Sequence, residues 1–159
     1  MITSRIKVGD GDIKDTLEYG LIFKKSDTRT EAPIKKRDST SYAEKSGEHL
    51  DTRTVMDSFD YKIEFAIVTE NKDISNANVV VSRFNNELYT KENGSDIRTY
   101  KQVTFYDDYK RCKIVGIPEP ISEPKELYRR QDGSCMDCAV VEFVIHVSNP
   151  NLCDFNINT

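Results

Sequence analysis

Four cysteines and two histidines are the residues of this 159-residue chain best suited to chemistry. Cys135-Met136-Asp137-Cys138 has the two-residue gap found in zinc knuckles and redox dithiols, because that spacing lets two sulfurs converge on one ion or on each other. A zinc ion asks for four ligands, and only isolated residues such as Cys112, Cys153 or His146 are left to complete the set. A second close pair is missing. A redox dithiol normally opens a helix in a βαβ unit, whereas this pair falls between an Asp132-Gly133 turn and a strand. The plainer reading is of reduced, inert thiols with no metal and no cofactor, and zinc at Cys112, Cys135, Cys138 and Cys153 is its alternative.

His146 shares a strand face with Glu142, and neither a nucleophile elbow nor a second histidine at ligand spacing accompanies it. His49 lies in a polar stretch. Val8-Gly9-Asp10-Gly11-Asp12 opens like a calcium loop but lacks the third acidic ligand and the distal glutamate, so it reads as a turn. Lys35-Lys36-Arg37 and Arg129-Arg130 are short basic clusters in a chain whose 23 basic and 27 acidic residues leave a net charge of −4. That balance argues against a nucleic-acid binder driven by charge. No nucleophile, base and orienting group come together, so the chain reads as a non-enzyme.

The elements that would position these residues follow from hydrophobic periodicity. The length suits one domain over 1–159. No apolar run approaches the ~20 residues of a membrane helix. The N-terminus lacks a secretory h-region, so the expectation is a cytosol-like compartment and no membrane. Leu17, Tyr19, Leu21 and Phe23 alternate, predicting a strand over 16–23. A polar stretch over 26–58 follows, with no period, and reads as a long projecting loop. Tyr61, Ile63, Phe65 and Ile67 alternate with polar neighbours in a half-buried strand. Ala77, Val80, Val81, Phe84 and Leu88 make one helical stripe, with Ser75 as N-cap and Asn93-Gly94 as stop.

Strands are then predicted over 102–106, 112–117 and 139–147, with a polar turn over 107–110 and a proline-stiffened exit at Pro118, Pro120 and Pro124. A short terminal segment over 152–157 alternates again. The sum is a mainly β chain, a β-sandwich or partial barrel of antiparallel strands, with one α-helix around residues 75–90. On the last long strand Val140 and Val144 occupy the face opposite Val141, Phe143 and Ile145. A strand apolar on both faces is covered on both faces, here by the helix or by another subunit.

The order of these elements carries a resemblance. Tyr19-Gly20-Leu21-Ile22, a polar excursion with Lys36-Arg37-Asp38-Ser39, the Tyr61-Lys62-Ile63-Glu64-Phe65 strand and one helix come first. Phe105-Tyr106-Asp107-Asp108, Val141-Glu142-Phe143-Val144-Ile145 and Asn149-Pro150 complete it. Over about residues 14–155 this resembles the N-terminal domain of the distal tail proteins of long-tailed phages, or a related tail or prophage ring protein. The resemblance implies a β-sandwich with one helix and a long loop, self-associating as a ring (a hexamer among the possible sizes) and docking to other tail proteins. It further implies a place in the virion tail after assembly in the bacterial host cytoplasm. On that reading Arg37, Asp38, Tyr42 and Leu50 in the loop, with Val140 and Val144, are the interface candidates. The alternative is a small β-sandwich module binding carbohydrate or a host protein, for which eight tyrosines would have to serve in place of the absent tryptophan.

Overall fold

In chain order the elements are β1 (Ser4–Val8), β2 (Lys14–Asp15), a 3-10 turn (Thr16–Tyr19), β3 (Ile22–Ser26), β4 (Phe59–Thr69) and α1 (Ile74–Glu87). There follow β5 (Tyr89–Lys91), β6 (Arg98–Tyr100), β7 (Val103–Asp107), β8 (Cys112–Pro118), β9 (Glu126–Tyr128), β10 (Asp137–Val147) and a second 3-10 turn (Pro150–Leu152). The computed structural model describes residues 4–27, 33, 56–69, 74–91, 93, 96–122, 124, 126–128 and 137–155.

The strands run β2-β1-β7-β8-β10-β4-β3, with β9 added on β10 and a separate β5–β6 hairpin, and every pairing is antiparallel. β8 turns the corner between two layers: it pairs with β7 through Cys112–Gly116 and with β10 at Ile117 and Pro118. Gly116 sits at the crossing, where a Cβ would lie 2.4 Å from the His146 carbonyl oxygen, so only glycine admits the close approach. The layers face each other across Phe105 on β7, whose ring meets Phe23 on β3 and Tyr61 and Phe65 on β4 at 6.3–6.4 Å. Among the described residues the outer strands β2 and β3 do not pair with each other, so the architecture is an open sandwich and not a barrel.

β4 and β10 are eleven residues long and fully paired, with Tyr61, Ile63, Phe65 and Ile67 beside Ala139, Val141, Phe143 and Ile145 on one buried face. β7 opposite them has five residues. The longer layer therefore outruns the shorter, and α1 covers the remainder. Ala77, Val81, Phe84 and Leu88 are buried there, and the Phe84 ring stands edge-on to Phe143 and to Tyr19 at 5.3 Å in both cases. Burying each such Val, Phe or Leu side chain stabilises by roughly 1.5–3 kcal/mol.

Several sequence expectations need correction. The alternating run over 16–23 is not one strand. The Asp15 carboxylate accepts the Leu17 N–H at 3.0 Å, and Gly20, at φ 82°, donates to the Leu17 carbonyl at 2.9 Å. These bonds close a 3-10 turn and leave Leu17 42% exposed, so the strand begins at Ile22. The helix ends at Glu87 and not at Asn93-Gly94, because Tyr89–Lys91 pairs with Arg98–Tyr100. Ser75 falls inside the first turn of α1 and not at its cap. β1 carries no strong period, yet its Ile6 is fully buried. As far as Phe155, where the described residues end, the terminal segment is a 3-10 turn followed by a bridge from Asp154 to Lys113.

Candidate interaction surfaces

Of the residues singled out by sequence, Arg37, Asp38, Tyr42, Leu50, His49 and Cys135 lie outside the described residues, with most of 26–58. The roots of that segment are described. β3 ends at Ser26 and β4 begins at Phe59, and Ser26 stands opposite Ile63 in the ladder, so the chain leaves and re-enters the sandwich at one end. Phe59 is buried and tilted against the Phe155 ring at 6.0 Å. The Asp57 N–H donates to the Pro33 carbonyl at 2.6 Å.

Val140 and Val144 are half-buried on the outer face of β10. The helix lies on the other face, against Phe143, so it is not their cover. Across β3, β4 and β10 the outer face reads in rows. Ile22, Ala66 and Val140 form an apolar row. Next, Glu64 stands opposite Glu142, with Lys24 and Lys25 at 3.7 and 3.6 Å from Glu64. Val144 stands opposite Lys62, and His146 Nδ1 lies 2.6 Å from the Asp60 carboxylate on the neighbouring strand. The partner of His146 is thus Asp60, one strand over, and not Glu142 on its own strand.

Among the three described cysteines, Cys138 stands apart from Cys112 and Cys153. Cys112 Sγ is 3.6 Å from the Tyr61 hydroxyl near the start of β4, whereas Cys138 stands opposite Val68 near its end. Those positions are separated by about 23 Å of extended chain, so Cys112 and Cys138 cannot ligate one ion. Cys153 stays with β8, where its sulfur accepts the Val115 N–H at 3.4 Å. Among the described residues no group of three or more His, Cys, Asp or Glu side chains is placed to hold a metal.

The end of the sandwich that carries the β7–β8 hairpin is built around Asp107, which is 1% exposed. One carboxylate oxygen accepts the N–H groups of Tyr109 and Lys110 at 3.1 and 3.0 Å. The other accepts the Ser26 hydroxyl and, at 3.3 Å, the Tyr61 hydroxyl. Burial pushes both the Tyr61 phenol and the Cys112 thiol above their ordinary values. Arg111 takes the left-handed conformation at φ 55° to close the turn. Outside it, Arg5 grips Asp108 with two nitrogens at 2.8 and 3.2 Å and lies 5.0 Å from the centre of the Tyr106 ring. Tyr109 is left at the tip, 71% exposed. The Lys110 ammonium is buried and has no hydrogen-bond partner among the described residues.

The opposite end is apolar. The 3-10 turn at 16–19, the start of β3, the end of β4 and the first turns of α1 enclose an open groove of about 290 Å³, lined chiefly by Leu17, Ile22, Val68 and Val80. The Asn76 amide on its rim donates to the Val68 carbonyl at 3.1 Å. Tyr19, beneath the turn, is pushed up to about 12 by burial and then by the neighbouring Glu87 carboxylate.

No family model matches the chain, and no curated protein does. Among solved structures, the Dit protein (gp 19.1) of phage SPP1 aligns with a TM-score of 0.53 at 12% identity. Its crystal structure is described as a paradigm of the hub adsorption apparatus in phages infecting Gram-positive hosts. The match covers 92% of this chain and 50% of that one. The likeness is one of fold. This chain spans about half the length of that protein.

The Asp107 node and the Tyr109 tip escaped the sequence reading, although a signal was present. An Asp that begins a polar turn between two strands is placed to accept N–H groups two and three residues on. The groove had no such signal, since its walls come from four elements.

Proposed function

We propose that this chain is a structural phage tail protein, one domain over 1–159, that acts by self-association into a ring and by docking on other tail proteins. The supporting observation is the fold shared with a tail hub protein over 92% of the chain. A hexamer is one of the ring sizes this reading admits. Its place is the virion tail, after assembly in the host cytoplasm, and it needs neither nucleic acid nor membrane nor cofactor. Ring subunits reach a neighbour through a loop or an edge at little cost to the core. The 26–58 segment, with Arg37, Asp38, Tyr42 and Leu50, is assigned that part, and Val140 and Val144 on the outer face of β10 are assigned a second contact. The proposal gives the chain no catalytic reaction.

Light scattering with negative-stain imaging tests it. Closed rings are expected at assembly-like concentration, and a monomer at every concentration would overturn the reading. Deleting residues 36–50 is expected to abolish association while the β-type circular dichroism persists. Loss of that spectrum would instead make the segment part of the core.

A further inference from the structure

We propose that Asp107 is a positioning residue for assembly: its two carboxylate oxygens clasp the mouth of the 26–58 segment to the β7–β8 hairpin. The inference rests on the assembly reading and names what holds two projecting parts of the molecule in one relation.

The carboxylate is divided between two structures. Oδ1 accepts the Tyr109 and Lys110 N–H groups at 3.1 and 3.0 Å and so shapes the hairpin turn. Oδ2 accepts the hydroxyls of Ser26 and Tyr61. Ser26 is the last residue of β3, where the chain departs, and Tyr61 is the third residue of β4, just after it returns. One side chain therefore holds both limbs of the mouth together with the turn. Ser26 and Tyr61 stand 81 and 46 residues from Asp107 along the chain, so no local preference assembles the group.

Further contacts close the same end. Asp107 pairs with Cys112 across the hairpin, and the Cys112 sulfur lies 3.6 Å from the Tyr61 hydroxyl. The phenol thus touches both hairpin strands at the pair that borders the turn. On the other side of the mouth the Asp57 N–H donates to the Pro33 carbonyl, which keeps the two limbs together.

Net stability does not account for this device. Taking a carboxylate out of water is costly, and a buried ionised group, even when satisfied, is often no better than a well-packed apolar side chain. A fully satisfied polar network instead specifies one arrangement, because any other leaves buried donors unpaired. Asp107 is 1% exposed with both oxygens occupied.

The parts so fixed are the ones that project. The turn carries Tyr109, the most exposed of the described large hydrophobic residues. It closes through Arg111 at φ 55°, a conformation that a residue other than glycine keeps only where its surroundings enforce it. A contact with a second copy made jointly by segment and turn requires a set relation between them. Fixing that relation in advance removes freedom that association would otherwise have to remove.

The test uses the full-length chain with Ser26→Thr, which keeps the hydroxyl, Ser26→Val, which has the shape of threonine without it, and Tyr61→Phe. Hydrogen exchange reads the clasp, light scattering with analytical ultracentrifugation reads association, and circular dichroism checks the fold. In Ser26→Val and Tyr61→Phe the Tyr109 and Lys110 amides are expected to exchange roughly tenfold faster, the effect of losing one hydrogen bond to a charged group, while α1 amides keep their rates. Both variants are expected to associate roughly tenfold more weakly, and Ser26→Thr to match wild type in both measurements. Unchanged exchange at Tyr109 and Lys110, or loosening that spreads equally to α1, would overturn the clasp. Equal disturbance by Ser26→Thr and Ser26→Val would assign the effect to side-chain bulk and overturn it too. Faster exchange with association like that of wild type would overturn the part in assembly, and the ring reading would stand. A wild type that stays monomeric removes the ring reading, and the part in assembly with it.

Discussion

The two ends of the sandwich are made rigid by different physics. At the hairpin end one buried carboxylate ties together three stretches of chain far apart in sequence, through Ser26, Tyr61 and the turn at 109–110. At the helix end the contacts are aromatic and aliphatic, with Phe84 between Phe143 and Tyr19. A polar network fails when one member is removed, because the partners left behind are buried and unsatisfied. Apolar packing fails in proportion to the volume lost. The first kind suits a projecting tip that must hold one shape, and the second suits a surface that leaves a recess beside it.

The comparison is broken most severely at the centre that both ends share. Phe105→Ala is expected to cost about 3–5 kcal/mol in urea unfolding, since three rings lose their common partner. Phe84→Ala is expected to cost a similar amount, but hydrogen exchange should show the loosening concentrated in α1 and the 3-10 turn beneath it.

Asp107→Ala comes next. It orphans two N–H groups and two hydroxyls, at roughly 1–3 kcal/mol for each donor that water does not reach. Faster amide exchange at Tyr109 and Lys110, with α1 amides unchanged, would confirm that the network serves the hairpin end. Uniform loosening would show that the two ends are not separable.

Alkaline pH sharpens the contrast more gently. Tyr61, Cys112 and Tyr19 all have folded values raised by burial, so each binds its proton more tightly in the folded chain. Their contribution is complete below the ordinary thiol and phenol values of 9.0 and 10.0, and is lost as pH rises from there through the folded values. Urea midpoints should hold level through neutral pH and fall above about 9. Tyr61→Phe should reduce that fall, leaving the part due to Cys112 from about 9 upward and the part due to Tyr19 between 10.0 and about 12.

The smallest effect is expected at the hairpin's outer clasp. Arg5→Ala removes a bidentate but half-exposed pair with Asp108 and should cost at most about 1 kcal/mol, less at high salt.

Much of this arrangement was legible in the sequence because alternation reports burial directly. The β4 and β10 strands, the β7–β8 pair and the stripe of α1 all appear where period two or period 3.6 placed them. The failures share a cause. Leu17 and Tyr19 alternate like strand residues, but the Asp15 cap and Gly20 close a turn that hydrophobicity does not register. β5 and β6 are three residues each, too short to show a period. The candidate surfaces were less legible still. Val140 and Val144 fell on the outer face as parity required, while Tyr109, marked only as part of a polar turn, is the residue that projects.

The sequence by itself determined which side chains face inward, because each strand or helix writes its own period and burial acts on residues one element at a time. Tertiary structure alone decided that the helix covers the inner face of β10, that Cys112 and Cys138 stand far apart, and that the Asp107 node and the apolar groove meet β4 near its two ends. Those relations depend on which strands pair and where β8 changes layers. They are set by contacts between residues distant along the chain, and no local pattern encodes them.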